Sequence, residues 1–273
     1  MKKPWFKQAW KWFNILFLVY MLAGFFTWYF QERLIFRPEK TDPRQPYTFN
    51  IPFRELNIPV HAEKNLSVVQ FTVPDSLRKG IVLYFHGNRG NILRYAPQAP
   101  AFTRQGYEVW MMDYPGYGKS TGERNERILY EDALLLFKMA NAQVPVEKII
   151  LYGKSLGTGI AAQLATVRSC KRLILETPYY DMPAVFRRYL PVYPLDWMIR
   201  YEFSTGSRMA FIQAPVSIFH GTRDGVISYR HAQRLARQFK AGDELITIAG
   251  GSHNNLFSFP ETRRKLDSLL LLP

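Results

Sequence analysis

One serine lies where the sequence could make its hydroxyl a nucleophile. The apolar run 149–152 ends in Gly-Lys-Ser-Leu-Gly at residues 153–157, and a second apolar run, 160–165, follows at once. This order predicts a buried strand that turns sharply into a helix and presents Ser155 on the corner, because the glycines leave room for the neighbouring backbones. Such a corner serves acyl transfer by a nucleophilic serine. A helix-capping serine at an ordinary strand-to-helix turn is the alternative interpretation.

A serine hydroxyl is a poor nucleophile at neutral pH, so it needs an imidazole to take its proton and a carboxylate to orient that imidazole. Among the five histidines, only His253 follows a late apolar run, residues 244–249, on a predicted loop. Asp224 follows the apolar run 215–220 in a turn that contains glycine. Ser155, Asp224 and His253 therefore form the predicted triad, in the chain order of serine enzymes built on a parallel sheet. Alternatively, Asp224 only shapes a turn and His253 is a polar loop residue.

Attack on a carbonyl also requires backbone N–H groups that stabilise the negative charge on its oxygen. The amide of Leu156, directly after the serine, is one predicted donor. The loop after the apolar run 80–85 supplies the other, and we assign it to the amide of Asn88 because Gly87 lets the backbone approach closely. His86 in the same loop is expected to be structural.

The order of apolar and helical segments predicts a scaffold that brings these distant loops together. Helical patterns such as 126–141 and 231–239 separate the apolar runs from Gly90 onward. Such alternation predicts an α/β fold, with a mostly parallel central sheet, helices on both faces and an antiparallel pair at the first edge. Ligands bind beyond the carboxyl ends of such strands, where the candidate residues fall. The predicted strands are residues 56–60, 67–73, 80–86, 107–113, 148–153, 172–176, 215–220 and 244–249.

The segment 179–214 is longer than an ordinary loop between two core strands and is rich in large apolar side chains. We interpret it as a small cap over Ser155 whose side chains form walls for an acyl group. The candidate pocket residues are Met182, Phe186, Tyr189 and Trp197. A packed helical excursion that does not contact substrate is the alternative.

Several motifs in fixed order give the chain a family resemblance, and they are His86-Gly87-Asn88, Asp113-Tyr-Pro-Gly-Tyr-Gly118, Gly153-Lys-Ser-Leu-Gly157, His220-Gly221-x-x-Asp224 and Ser252-His253. The set resembles the α/β-hydrolase superfamily and, within it, the membrane-anchored ABHD-type serine hydrolases. The likeness covers nearly all of the chain after the N-terminal apolar segment. It implies Ser155 as nucleophile, Asp224 as acid and His253 as base, with Leu156 and Asn88 at the oxyanion site. Members include esterases, lysophospholipases and protein depalmitoylases, so the resemblance implies the chemistry more narrowly than the substrate.

Two glycine-rich nucleotide-binding patterns compete for the same residues, and both fit poorly. Residues 157–162 match Gly-x-Gly-x-x-Ala, and Glu176 ends the next predicted strand, where an acid would hold a ribose. However, Gly153 already opens the turn after the strand, which places Ser155 at the position of the second glycine. A phosphate-binding loop lacks the glycine that its spacing requires. No histidine pair or cysteine cluster has the spacing of a metal site, so we expect neither a metal nor a cofactor.

The N-terminal part of the chain predicts a membrane anchor. Residues 12–30 are 19 residues without a charged side chain, and as a helix they extend about 28 Å, close to the apolar thickness of a bilayer. Large aromatic residues lie near both ends, as they do at membrane interfaces. We interpret the segment as an uncleaved signal anchor, since a cleaved signal peptide has a shorter apolar core and small residues before the cut. A cleaved signal and a helix lying on the membrane surface are the alternatives.

The basic residues around this anchor are balanced in number. Four lysines precede it, Lys2, Lys3, Lys7 and Lys11, and four basic residues follow it closely. The terminal amine and the order of basic head before apolar core favour a cytoplasmic N-terminus. The rest of the chain would then lie on the outer or periplasmic side of the cell membrane.

Composition divides the chain into a basic flank, the anchor, a linker and one domain. Residues 1–11 form the flank, 12–30 the anchor, 31–52 a proline-rich extended linker that lifts the domain off the membrane, and 53–273 a single α/β-hydrolase domain. The net charge is +14 and the basic residues are dispersed, which favours attraction to anionic lipid, or a merely solubilising surface, over nucleic-acid binding. Cys170 is the only cysteine, so no disulfide can form within the chain.

These patterns predict a membrane-anchored serine hydrolase that cleaves esters or thioesters of apolar acyl groups through an acyl-enzyme. Its expected partners are a small-molecule or lipid acyl substrate and the membrane lipid around the N-terminal helix. A serine peptidase of the aminopeptidase kind is one alternative. It would need an acidic group for the substrate's amine, and Asp181, Asp196 and Glu202 are the candidates. A catalytically silent binding protein that keeps the fold is the other alternative.

Overall fold

The structure, a computed structural model, describes residues 4–272. Lys2 and Lys3 of the predicted basic flank lie outside the described residues. The strands, in chain order, are β1 (Arg37–Pro38), β2 (Phe53–His61), β3 (Lys64–Phe71), β4 (Gly80–Phe85), β5 (Arg89–Gly90), β6 (Tyr107–Met112), β7 (Ile149–Lys154), β8 (Arg172–Glu176), β9 (Val216–Gly221) and β10 (Glu244–Ile248). The α-helices are α1 (Pro4–Ile35), α2 (Ile92–Tyr95), α3 (Pro100–Thr103), α4 (Glu126–Asn141), α5 (Leu156–Val167), α6 (Met182–Arg187), α7 (Leu195–Met198), α8 (Arg230–Ala236) and α9 (Pro260–Leu271).

Eight of the strands form one central sheet in the order β10-β9-β8-β7-β4-β6-β3-β2. The neighbours from β10 to β6 are parallel, whereas β3 pairs antiparallel with both β6 and β2. The predicted α/β fold with a mostly parallel sheet is therefore confirmed. Strands β4, β6, β7 and β9 are buried along their whole length, because parallel strands are covered on both faces and so consist of continuous apolar runs.

Two apolar layers hold the sheet between its helices. Successive side chains of a strand point to opposite faces. Leu83 and Leu151 therefore belong to the layer that packs on α4 and α5, whereas Val82 and Ile150 belong to the layer that packs on α3 and α9. The loops that follow β4, β7, β9 and β10 all leave the carboxyl edge of this sheet.

Helix α1 is long enough and apolar enough to cross a membrane, by its length and composition. Most of its large apolar side chains between Trp5 and Tyr29 are exposed. The predicted anchor, residues 12–30, lies within α1, but the helix continues in both directions. One face of α1, which includes Thr27 and Gln31, is buried against the rest of the protein.

The segment predicted as a linker, residues 31–52, lies against the domain instead of lifting it away. Its first residues complete α1, and Phe36 is buried in the core. Strand β1 then pairs in parallel with β5, and the hydroxyl of Tyr47 donates to the carboxylate of Asp113 at 3.1 Å. The prolines exclude a longer helix, but the apolar side chains between them attach the segment to the domain surface.

Candidate active site

Ser155 lies on the sharp turn between β7 and α5, as the sequence predicts. Its backbone has φ of +50° and ψ of −117°, a left-handed conformation that costs a non-glycine residue about 1–3 kcal/mol. A Cβ atom on Gly157 would fall 2.0 Å from the carbonyl oxygen of Phe85, and one on Gly153 would fall 2.5 Å from the carbonyl oxygen of Gly157. The turn is therefore fixed by close backbone packing that only glycine permits.

The side chains of Ser155, His253 and Asp224 form one hydrogen-bonded chain. Nε2 of His253 lies 3.0 Å from Oγ of Ser155, and Nδ1 of His253 lies 2.8 Å from Oδ2 of Asp224. The other carboxylate oxygen, Oδ1, accepts hydrogen bonds from the N–H groups of Val226 and Ile227, both at 2.8 Å. The loops after β7, β9 and β10 thus bring together the three residues that the sequence singles out.

The surroundings of Asp224 keep its carboxyl group ionised. Burial raises the pKa of this group, but hydrogen bonds from His220, His253 and the amide of Ile227 outweigh burial and hold the pKa well below its ordinary value. Nε2 of His220 lies 3.0 Å from the carbonyl oxygen of Ile227 and 3.5 Å from Oδ2 of Asp224, so this nitrogen carries a proton. The ionised carboxylate of Asp224 accepts a hydrogen bond from Nδ1–H of His253. Nε2 is then free to accept the hydroxyl proton of Ser155.

Two backbone segments border the serine where an oxyanion would form. The amide of Leu156 begins helix α5 directly after Ser155. N–H groups in the first turn of a helix have no acceptor in that helix, and the helix dipole favours negative charge at this end. The loop after β4 also reaches the serine, because a Cβ atom on Gly87 would be 3.6 Å from Cβ of Ser155. Both predicted oxyanion donors therefore lie in segments next to the hydroxyl.

Asn88 in this loop is held by three hydrogen bonds. Its side-chain amide donates to the carbonyl oxygen of Ile35 at 2.7 Å. Its own carbonyl oxygen accepts from the N–H of Arg37 at 2.9 Å and from the hydroxyl of Tyr117 at 2.7 Å. Among the described residues, no acceptor takes its backbone N–H. The end of α1 thus orients the peptide group of Asn88, and no feature of the sequence indicates this contact.

His86 is fully buried and has a structural environment, as expected. Its ring packs against Tyr114 with 4.1 Å between the ring centroids. Nδ1 lies 2.7 Å from the carbonyl oxygen of Gly87, and Nε2 lies 3.5 Å from the carboxylate of Asp113. These contacts fix the start of the loop that carries Asn88.

A cavity of about 570 Å³ adjoins the serine. Of the predicted pocket residues, Met182, Phe186 and Tyr189 line it. Trp197 does not, which corrects that part of the prediction, because its side chain is 90% exposed. Helix α7 is a single turn that buries Leu195 in the core and so directs Trp197 outward. A helix this short has no period from which its inner face could be read.

Two walls of the cavity were not foreseen from the sequence. Leu34 and Ile35, at the end of α1, line it. Their apolar side chains directly after the predicted span were the only local signal. Arg37, Arg89 and Arg94 also line the cavity, which therefore combines an apolar interior with a basic part.

The acidic residues considered for a peptidase do not line the cavity. Asp181 caps α6 by accepting the N–H of Ala184 at 2.6 Å, and Asp196 pairs with Arg187 at 2.7 Å. Glu202 is exposed. Within residues 4–272, no group of three or more His, Cys, Asp or Glu side chains could hold a metal ion.

Comparison with known proteins relates this chain to named families. A family model described as serine aminopeptidase, S33, matches residues 77–201. The chain is 31% identical over 150 residues to the α/β-hydrolase domain-containing protein aho-3 of Caenorhabditis elegans, across 54% of this chain and 44% of that protein. It is 28% identical over 193 residues to the α/β-hydrolase domain-containing protein 17C of Xenopus tropicalis, across 69% of this chain and 61% of that protein. The chain therefore spans less than two thirds of either relative.

Solved structures share the fold. An esterase of Pyrococcus furiosus superposes with a TM-score of 0.66 and 18% identity, over 86% of this chain and 97% of that one. A CIB-like hydrolase of Thermoplasma acidophilum gives a TM-score of 0.60 and 19% identity, over 82% of this chain and all of that one. These structures show that the chain has the α/β-hydrolase fold, and over part of its length its sequence is similar to the family model and to the two α/β-hydrolase domain-containing relatives.

Proposed function

We propose that this chain is a membrane-anchored serine hydrolase that cleaves carboxylic ester or thioester bonds of substrates with an apolar acyl group. The observation that carries the proposal is the distance of 3.0 Å between Nε2 of His253 and Oγ of Ser155, beside a largely apolar cavity. The carboxylate of Asp224 lies 2.8 Å from the other ring nitrogen. A base in contact with a nucleophile, and oriented by a buried carboxylate, is what acyl transfer requires.

The reaction would proceed in two halves. Oγ of Ser155 attacks the carbonyl carbon while His253 takes the hydroxyl proton, and the N–H groups of Leu156 and Asn88 stabilise the negative carbonyl oxygen. His253 then gives its proton to the departing alcohol or thiol, which leaves the acyl group on the serine. In the second half, His253 takes a proton from water as the water attacks the acyl-enzyme. Collapse of that intermediate returns the proton to the serine and releases the acid.

Helix α1 supports the membrane part of the proposal. It is long and apolar enough to cross a bilayer, and it exposes apolar side chains over most of its length. The basic head before the apolar segment favours a cytoplasmic N-terminus. In that orientation the hydrolase domain acts on the outer or periplasmic side of the cell membrane.

An aminopeptidase is the second candidate, because the matched family model is described as serine aminopeptidase. Such an enzyme needs an acidic side chain to hold the ammonium group of its substrate. Among the described residues that line the cavity, none is Asp or Glu, and Arg37, Arg89 and Arg94 are basic. This lining favours a neutral or anionic substrate over a cationic one.

Labelling with a fluorophosphonate tests the nucleophile. The probe reacts covalently with an activated serine hydroxyl, so we expect the full-length protein in detergent to be labelled and the Ser155→Ala variant not to be. Ser258→Ala removes an exposed hydroxyl and serves as the matched control, which should react like the unaltered protein. Equal labelling with and without Ser155 contradicts the proposal. Labelling of neither protein also contradicts it and favours a silent binding protein.

The choice between esterase and peptidase is tested by turnover of matched chromogenic substrates. We expect hydrolysis of acyl nitrophenyl esters, and hydrolysis of aminoacyl nitroanilides no faster than by Ser155→Ala. Preferred hydrolysis of the aminoacyl amides would make the chain a peptidase.

A further inference from the structure

The cap, residues 179–214, packs directly on the anchor helix. The ring of Tyr193 stacks on that of Tyr20 with 4.4 Å between centroids, and the hydroxyl of Tyr193 donates to the carbonyl oxygen of Tyr20 at 2.7 Å. Gly24, one turn further along α1, leaves room for this ring, because a Cβ atom there would fall 2.8 Å from it. Residues inside the predicted membrane span therefore contact the cap.

A second group of contacts holds the cap against the end of the same helix. The side chain of Gln31 is fully buried. It donates to the carbonyl oxygen of Met198 at 3.2 Å and accepts from the N–H of Arg200 at 2.6 Å. The hydroxyl of Tyr201 donates to the carboxylate of Glu32. The cap is thus attached along about three turns of α1.

These contacts limit how α1 can lie in a bilayer. Crossing a hydrocarbon core of about 30 Å takes about 20 helical residues. Residues 4–19, which precede the first cap contact, extend only about 24 Å and include Lys7 and Lys11. If residues 12–30 cross the core, Tyr20 lies about 15 Å inside it from the domain side, which is the depth of one leaflet. The part of the cap at Tyr20 then lies within that leaflet.

The outer surface of the cap has the composition of a membrane-interface surface. Its docking face, as we name it, consists of three apolar side chains that are 60%, 70% and 90% exposed and three exposed arginines, namely Tyr189, Val192 and Trp197 with Arg187, Arg188 and Arg200. Aromatic rings concentrate at the level of lipid headgroups, and arginine stems cover apolar surface while their guanidinium groups reach phosphates. The exposed carboxylate of Asp196 is paired with Arg187. The other two arginines of the docking face give it a net positive charge.

We propose that the docking face is seated in the anionic lipid leaflet on the domain side and that the acyl chain of the substrate enters the cavity from this leaflet. The inference rests on the proposed membrane-anchored hydrolase. Tyr189 belongs to the docking face and also lines the cavity, and Leu34 and Ile35 of α1 line it as well. An acyl chain that leaves the leaflet beside α1 therefore meets apolar side chains instead of water, which removes the cost of hydrating it.

Spin labels in the full-length chain test the seating of the docking face. Because Cys170 is the only cysteine, Cys170→Ala gives a background for single labels at Trp197→Cys and, as a control, at Leu77→Cys. Leu77 is 63% exposed and precedes β4, at the opposite edge of the sheet. In vesicles of equal parts phosphatidylcholine and phosphatidylglycerol, we expect oxygen, which concentrates in lipid, to relax the label at Trp197→Cys more than a water-soluble nickel chelate does. The label at Leu77→Cys should show the reverse order.

Two outcomes of this experiment overturn the proposal. One is equal exposure of both labels to the nickel chelate. The other is shielding of the Trp197→Cys label from both reagents with dipolar broadening between labels, because the face would then join two copies of this chain. Fluorophosphonate labelling of the same samples reports whether Ser155 is active. Failure of the seating is therefore distinguishable from failure of the proposed hydrolase.

Turnover gives a second test with unlabelled protein. Trp197→Glu places a charge on the docking face but outside the cavity. We expect it to lower hydrolysis of a long-chain ester in the same vesicles by about tenfold, equivalent to about 1.4 kcal/mol of seating free energy. Hydrolysis of a water-soluble short-chain ester should be unchanged, and Leu77→Glu, the matched control, should alter neither rate. Equal loss on both esters, or no loss in vesicles, contradicts the proposal.

Discussion

The corner at Ser155 and the contact between α1 and the cap are built in different ways. At the corner, neighbouring backbone leaves no space for a side chain on Gly157. The contact of α1 with the cap depends on a few side chains, chiefly the stacked rings of Tyr20 and Tyr193 and the buried amide of Gln31. Acyl transfer needs one fixed geometry of the reacting atoms. Entry of substrate instead depends on side-chain contacts between α1 and the cap, which a single substitution can weaken. We therefore expect substitutions at the corner and triad to have larger effects than those at the surface of α1.

Removal of the proposed base, His253, should have the largest effect. His253→Gln keeps a polar side chain but replaces the imidazole, whose Nε2 contacts Ser155, with an amide that cannot act as a base, so we expect kcat/KM for an acyl ester to fall by about 10⁴-fold. The His61→Gln variant, which changes an exposed residue at the end of β2, should keep its activity. Steady-state kinetics of both variants check this expectation. A fall of less than about tenfold in the first variant would remove His253 from the role of base.

Crowding of the corner should have the next largest effect. In Gly157→Ala the new Cβ atom would meet the carbonyl oxygen of Phe85 at 2.0 Å, and relief of this clash should destabilise the fold by about 1–3 kcal/mol. Displacement of the serine by about 1 Å should also slow fluorophosphonate labelling by about 100-fold. Gly225→Ala is the control, since no atom lies within 4 Å of a Cβ atom placed there.

Urea unfolding and labelling rates measure both parts of this prediction. The corner is less constrained than proposed if the two alanine variants have the same free energy of unfolding and the same labelling rate.

Acid should weaken the fold through Asp224, with a smaller effect. The pKa of Asp224 is lowered in the folded protein, so its ionised form contributes stability above the ordinary carboxyl pKa of about 4. That contribution is lost as pH falls from this value through the lowered pKa. We expect the free energy of unfolding to fall more steeply with acid in the unaltered protein than in Asp224→Asn. If the free energies of unfolding of the two proteins, measured with urea, depend equally on pH below about pH 4, the pKa of Asp224 is not lowered in the folded protein.

Loss of the contact between α1 and the loop that carries Asn88 should have the smallest effect. Asn88→Ala keeps the backbone N–H but removes the side-chain amide that donates to Ile35. Loss of one such hydrogen bond costs about 0.5–1.5 kcal/mol, so kcat should fall by about three- to tenfold with KM nearly constant. Asn65→Ala removes an exposed hydrogen bond that the side-chain amide donates to Oδ1 of Asn57, and this variant is the control for kinetics. A fall in kcat as large as that in His253→Gln would contradict the expectation that substitutions at the corner and triad have larger effects than those at the contacts of α1.

Much of the site could be predicted because its signals are local. Ser155, Asp224 and His253 each follow an apolar run that indicates a buried strand. Parallel strands bring their carboxyl ends to one edge of a sheet, so these loops converge although they are distant along the chain. The strands and helices whose alternation predicts the fold can likewise each be recognised from neighbouring residues.

The remainder depends on packing between distant segments. Leu34 and Ile35 line the cavity only because α1 lies along the cap, and their apolar character does not by itself indicate which surface they contact. The prolines of residues 31–52 indicate a lack of helix but not where the segment lies. Trp197 lies in a single helical turn. The sequence shows that its side chain is apolar but not whether that side chain points into the cavity or toward solvent.

The position of the covalent adduct is the most direct measurement of the proposed chemistry. After the full-length protein has reacted with a fluorophosphonate, trypsin should release residues 155–168 as one peptide, because Lys154 and Arg168 are its cleavage sites. We expect mass spectrometry to find the phosphonyl group on Ser155 in this peptide. A fully reacted sample in which this peptide is unmodified, or in which the adduct lies on another residue, would contradict the assignment of Ser155 as the nucleophile.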